Sequence, residues 1–230
     1  VHIEEEFAVA HTAQHDSLPD EAEAFTPRQQ AVLECALKLL VEGGEKALTT
    51  AGLARSANCS KESLYKWFGD RDGLLAAVVS YQASKVHFAS EGAATDAVTF
   101  RIHLTAFVHE LLGVLTGETS LALNRLAIGQ SNREDARLGR LLLLRGKYTI
   151  STRARALLEA GRFRGFLKFE DADEAYQVLY GLAVRDQHIR QLLGDKPRTK
   201  DLDVDRQASL AVDRFYRLFG ADAPLAGGGK

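Results

Sequence analysis

Methionine is absent from this 230-residue sequence, cysteine occurs only at positions 35 and 59, and proline only at 19, 27, 197 and 224. A helical chain of this length without methionine is improbable, so spacings carry weight only within contiguous blocks that are internally consistent. Cys35 and Cys59 lie inside apolar helical patterns and lack metal-ligand spacing, which excludes a disulfide framework and reads as small buried hydrophobes. With so few prolines, long stretches are free to be helical. No apolar run approaches the length needed to span a bilayer, so no membrane partner is expected. Nor does any Lys or Arg precede Arg28; the opening residues carry instead Glu4, Glu5, Glu6, Asp16, Asp20, Glu21 and Glu23. A basic n-region followed by an apolar core is therefore missing, and a cytoplasmic location is expected. A net charge of -2 shows no global excess of cations, so any nucleic-acid face must be local.

What is present is helical periodicity. Apolar residues recur at three and four through most of the chain and few segments alternate, which predicts an all-α fold. Thr26 and Pro27 open a helix carrying Val32, Leu33, Ala36, Leu37, Leu39 and Leu40, with a stop expected at Gly43-Gly44. A short helix follows Thr49 or Thr50, a third starts at Ser60, and a long one runs from Asp70 to Ser90. Later segments are expected near 96–115, 119–130, 134–160, 171–193 and 203–219. The organisation read from this is an acidic, loosely ordered tail over 1–25, a three-helix helix-turn-helix domain over 26–72, a helical domain over 73–220, and a disordered tail over 221–230.

The block from Thr49 carries the chemistry. A helix-turn-helix needs a small residue where its helices cross, a residue tolerant of left-handed backbone in the turn, and an apolar plug after it. Ala54, Asn58 and Cys59 supply these, and Leu64 supplies the inward apolar residue of the second helix. Leu64 and Phe68, four apart, form an inward stripe, which leaves Lys61, Glu62, Ser63 and Lys66 for the outward face. Lys suits guanine acceptors, and Glu62 can accept from cytosine. The run from Leu64 through Tyr65, Lys66, Trp67, Phe68, Gly69, Asp70, Arg71, Asp72 and Gly73 to Leu74 resembles the entry to the fourth helix of the TetR family of regulators, with Arg71 in place of the usual Lys. The resemblance covers residues 26 to about 86. A weaker one extends to Leu157–Gly161 and Phe169–Ala175. It implies an N-terminal DNA-binding domain and a C-terminal ligand-binding and dimerisation domain. It also implies backbone contacts from Thr49, Thr50, Tyr65, Trp67 and Arg71, with Ser60 at the start of the reading helix. Such contacts set register and salt dependence rather than sequence choice.

In the second half, polar and aromatic residues among apolar neighbours are pocket candidates for an unidentified small molecule: Phe88, Phe100, His103, Phe107, Asn124, Arg125, Tyr148, Tyr176 and Tyr180, with His109 and His188 similar. His103 and His109, six apart, do not share a helical face, so no metal is expected, and no cofactor either. Apolar stripes at Tyr176, Leu179 and Ala183 and at Ala211, Phe215 and Leu218 suit either a single-chain core or a dimer interface; the resemblance favours a homodimer on an operator duplex. Together these imply a transcription regulator, by family default a repressor that a small molecule releases. With no nucleophile-base set, phosphate-cradling loop or paired acidic motif, an enzyme is not expected. The alternative is a helical small-molecule-binding or protein-interaction protein without DNA binding.

Overall fold

The computed structural model describes residues 25–87, 96–132, 136–196 and 203–221. The two expected tails, apart from Phe25 and Ala221, and Phe88 lie outside them. Among the described residues the structure is helical, with one isolated bridge between Leu167 and Gly220.

Helix α1 (Pro27–Ala47) opens with a capping box: Gln29 N–H donates to the Thr26 hydroxyl and its side chain accepts from Thr26 N–H at 2.8 Å. Its buried stripe is Val32, Leu33, Ala36, Leu37 and Leu40. The stop expected at Gly43-Gly44 is instead a kink. Gly44 takes a left-handed φ of 67°, and one further turn carries the chain to Ala47. Helix α2 (Thr50–Ser56) is capped by Thr49, and α3 (Lys61–Phe68) by Ser60. Between them Asn58 sits at φ 48°, the left-handed turn position that asparagine tolerates. Asp70 then caps α4 (Arg71–Ser84), accepting from Asp72 N–H and Gly73 N–H at 2.9 Å each. A Cβ on Gly73 would lie 2.0 Å from the Phe68 carbonyl oxygen, so only glycine lets α4 start this close to the end of α3.

The remaining helices are α5 (Ala97–Thr116), α6 (Glu118–Gln130), α7 (Arg137–Leu141), α8 (Tyr148–Phe163), α9 (Ala172–Val184), α10 (Gln187–Leu192) and α11 (Val204–Phe219). A π-helical turn at Leu142–Lys147 joins α7 to α8, so the expected 134–160 helix has a bulge in it. The expected 171–193 helix is broken at Arg185, whose φ of 51° ends α9.

Two main cores form. One gathers α1, α2, α3 and the first half of α4, and also takes Leu123 from α6. The other is enclosed chiefly by α5, α8, α9 and α11 around Phe100, Leu104, Phe107, Leu158, Leu179 and Phe215. Val79, Ala127 and Leu138 form a small cluster that joins α4 to α6 and α7. Helix α5 corrects the reading that no apolar run approaches the length needed to span a bilayer: it has 20 residues, and an 18-residue stretch of it reaches a mean hydropathy of 1.3. Its Phe100, Leu104, Phe107, Val108, Leu111 and Leu112, however, are buried in the second core.

Candidate nucleic-acid interface

Helix α3 has two faces because its sequence has two. Leu64 and Phe68 are buried against α1 and α4, while Lys61, Glu62, Tyr65 and Lys66 are exposed and Ser63 half-buried. The Ser60 hydroxyl accepts from Ser63 N–H at 3.0 Å and lies 3.0 Å from the Ser63 hydroxyl, which fixes the first turn. Glu62 is charged: a hydrogen bond from its own backbone amide, helped by the Ser60 hydroxyl, holds its carboxyl below the usual range. The outward face thus presents two ammonium groups, one carboxylate, a phenol and hydroxyls.

Thr50, Tyr65 and Arg71 come together, lining one hollow with Asp70 between α2, α3 and α4. Thr49 is exposed, its hydroxyl engaged by Gly52 N–H at 3.0 Å. Trp67 is half-buried, edge-on to Phe68 and packed against the first core. Asp70 is held below the ordinary carboxylate range by Gly73 N–H, with Asp72 N–H adding to it.

Two contributors were not legible in the sequence. Arg28 sits in the first turn of α1, where a cation opposes the helix dipole. Its guanidinium crosses to the α2–α3 turn and donates to the carbonyls of Ala57, at 3.0 Å, and Asn58, which steadies the approach to Ser60. Glu45, in the extra turn of α1 beyond the kink, receives Arg71 at both its backbone and side chain, and Gln130 of α6 donates to its other carboxylate oxygen at 3.0 Å. Arg137 of α7 pairs with Asp72. The start of α4 is therefore tied to the second half of the chain.

The expected pocket residues scatter. Phe100, Phe107 and Tyr176 are buried in the second core, where burial and the neighbouring Tyr180 push the Tyr176 phenol up to about 12. His103 and Tyr180 are half-buried. Asn124 donates to the Ser120 carbonyl of its own helix at 2.8 Å. Arg125 and Tyr148 are corrections: Arg125 is exposed and holds the carbonyls of Gln191 and Leu192 at the end of α10, and Tyr148 is half exposed on the outer surface. Tyr176, Leu179, Ala183, Ala211 and Phe215 are 7% exposed or less within one chain, which corrects the expectation that they face a partner; Leu218 is 57% exposed. A surface groove of about 510 Å³ that the sequence did not reveal runs between α5 and α11, lined by Val98, Arg101, Ile102, Thr105, His109 and Asp205 among others.

Residues 32–78 match the family model described as bacterial regulatory proteins, tetR family, and residues 103–221 match that of the AefR-like transcriptional repressor, C-terminal domain. A TetR transcriptional regulator from Agrobacterium tumefaciens, known from its crystal structure, is 57% identical, with 86% of this chain and 97% of that one covered at a TM-score of 0.73. A putative TetR-family regulator from Mesorhizobium loti shares the fold at 22% identity and a TM-score of 0.65, over 84% of this chain and 96% of that one. The uncharacterized HTH-type transcriptional regulator YvkB of Bacillus subtilis is 34% identical over 58 residues, 25% of this chain and 31% of YvkB, so that match spans about a third of the relative's length. With a two-faced α3 set on a helix-turn-helix and both halves matched, the chain belongs to the TetR family of transcriptional regulators, non-enzymatic proteins that act by binding DNA.

Proposed function

We propose that the outward face of α3 enters the major groove of an operator duplex, with Lys61, Glu62, Ser63 and Lys66 at base edges and Thr49, Thr50, Tyr65 and Arg71 on the backbone. One observation carries the reading: Ser60 caps a helix whose inner residues are consumed by the core, while its lysines stand exposed. In this reading residues 26–72 form the reader and 73–220 the sensor and dimerisation unit, with α4 shared between them. Two readers are brought to successive grooves by a homodimer. The outer stripe of α11, with Leu210 at 41% and Leu218 at 57% exposure, supports that partner surface in place of the buried residues named first.

Release by a small molecule is part of the same proposal. The amide oxygens of Gln82 and Gln191 and Nε2 of His188 are buried with no hydrogen-bond partner among the described residues, and burial lowers the His188 pKa. Gln82 lies on α4, the helix that also carries Arg71, and donates to Ser120 of α6 at 3.3 Å. A ligand satisfying such groups would favour one setting of α4 over another, in proportion to its differential affinity for the two. Selection of bound sites from random duplexes, repeated with candidate ligands, tests the whole reading. A pseudo-palindromic site whose affinity falls with one ligand is expected, and protein that recovers no preferred duplex refutes it.

A further inference from the structure

The strongest concentration of positive charge lies away from α3. Between residues 136 and 158 the sequence carries Arg137, Arg140, Arg145, Lys147, Arg153 and Arg155 and no Asp or Glu. Asp72 pairs with Arg137 and Asp173 with Arg155. Arg140, Arg145 and Lys147 are exposed, and no ion pair among the described residues holds them. Beside them on the outer side of the π-helical turn stand Leu143, Leu144 and Tyr148, at 44%, 59% and 51% exposure. Gly146 turns inward, a Cβ there lying 3.8 Å from Val79 of α4, so the turn is seated on α4 and presents its bulky residues outward. Apolar side chains ringed by cations suit an acidic segment that has apolar residues of its own.

The geometry points to the N-terminal segment of this same chain as the occupant. Residues 1–24 hold seven acidic residues and no Lys or Arg, and Glu4-Glu5-Glu6 is followed by Phe7-Ala8-Val9-Ala10. Carboxylates would face Arg140, Arg145 and Lys147 while Phe7 and Val9 cover Leu143, Leu144 and Tyr148. The segment joins the fold at Phe25, which packs edge-on against Tyr81 of α4, ring centroids 5.9 Å apart; Tyr81 and the Val79 that meets Gly146 are two positions apart and face different sides of that helix, so the segment has to pass around α4 to reach the turn. The 15 residues between Val9 and Phe25 span roughly 23 Å if wholly helical and about twice that if extended, which allows such a path.

The reading face of α3 is the competing seat, and it is the poorer one. There Glu62 is held ionised between Lys61 and Lys66 and would repel a carboxylate. Docking on the π-helical turn would keep seven negative charges away from the face that meets phosphate. It would also cover cations that otherwise attract nucleic acid without sequence preference.

Carbodiimide coupling of carboxylates to amines in the full chain without DNA, read by peptide mass spectrometry, tests this. Because no duplex is present, the outcome is independent of whether α3 reads DNA. The expected product joins Glu4, Glu5 or Glu6 to Lys147, in a yield that falls several-fold when Arg140 and Arg145 are both replaced by alanine and that falls again in high salt. Thermal melting of that double variant guards against misfolding. Coupling chiefly to Lys61 or Lys66, coupling spread evenly over surface lysines, or a yield indifferent to the double replacement would overturn the inference.

Discussion

Arg71 donates to the backbone carbonyl of Glu45 at 2.9 Å and lies 3.3 Å from its carboxylate, so the cation that the family resemblance assigns to DNA phosphate already has a partner inside the protein. Both side chains are accessible enough for the pair to exchange for a phosphate, and an exposed pair of this kind contributes little to stability. Arg71→Ala is therefore expected to leave thermal stability nearly unchanged. It should weaken duplex binding uniformly across sequences and lower the slope of log affinity against log salt by about 1. Fluorescence anisotropy over a salt series measures both. An unchanged slope would show that Arg71 stays with Glu45 in the complex.

Gly161→Ala probes the second core. A Cβ there would come within 2.3 Å of the Phe100 ring, which is 1% exposed in the core. The expected loss is about 1–3 kcal/mol by urea denaturation, as for other overpacked cores. A variant as stable as the parent would mean that the ring has another place to go.

The head is fastened to α4 by a carboxylate with two donors. Glu34 accepts from the Tyr81 hydroxyl and from Lys85 Nζ, each at 2.8 Å. Burial opposes its ionisation, but the hydrogen bonds from Lys85 and Tyr81 prevail and hold its carboxyl below the ordinary carboxylate range. Burial, with the bond to Glu34, pushes the Tyr81 phenol up to about 12. Because the folded-state pKa of Glu34 is depressed, its contribution is present above the unfolded value and lost as pH falls through the folded one. Glu34→Gln should thus be less stable than the parent at neutral pH, with the difference closing in acid below the ordinary carboxylate range. A gap that is equally wide at low pH would assign the effect to packing.

Leu210→Glu and Leu218→Glu place charge on the outer stripe of α11 without entering the core. Light scattering at micromolar concentration is expected to give about twice 25.2 kDa for the parent and a shift towards the single chain for the double variant. A parent that scatters as one chain contradicts the dimer.

The all-helical class and the turn signature were legible because they are local. Asn58 at a left-handed position, Ser60 as a cap and the Leu64/Phe68 stripe are each determined within a few residues. What could not be read depends on distant partners. The kink at Gly44 is set by the turn that follows, which delivers Glu45 to Arg71 and Gln130. The stripes of α9 and α11 fit a core or an interface equally by period, and only their packing on α5 assigns Tyr176, Leu179, Ala183, Ala211 and Phe215 to the core. Arg125 reads as a pocket cation but serves the carbonyl end of α10, 66 residues away. Phe100 and Phe107 read as pocket candidates in the sequence but lie in the second core, because period alone cannot tell the lining of a pocket from the centre of a core.

Quantitative footprinting of the parent and of Lys66→Ala, on duplexes selected by the parent, tests the reading role of α3 most directly. The account predicts that the parent protects two half-sites separated by a whole number of helical turns. The variant, folded to the same degree by circular dichroism, should lose roughly 1–3 kcal/mol of binding and relax its preference at one base pair in each half-site. A folded Lys66→Ala protein that protects the same duplexes with the same affinity and the same base preferences would contradict it.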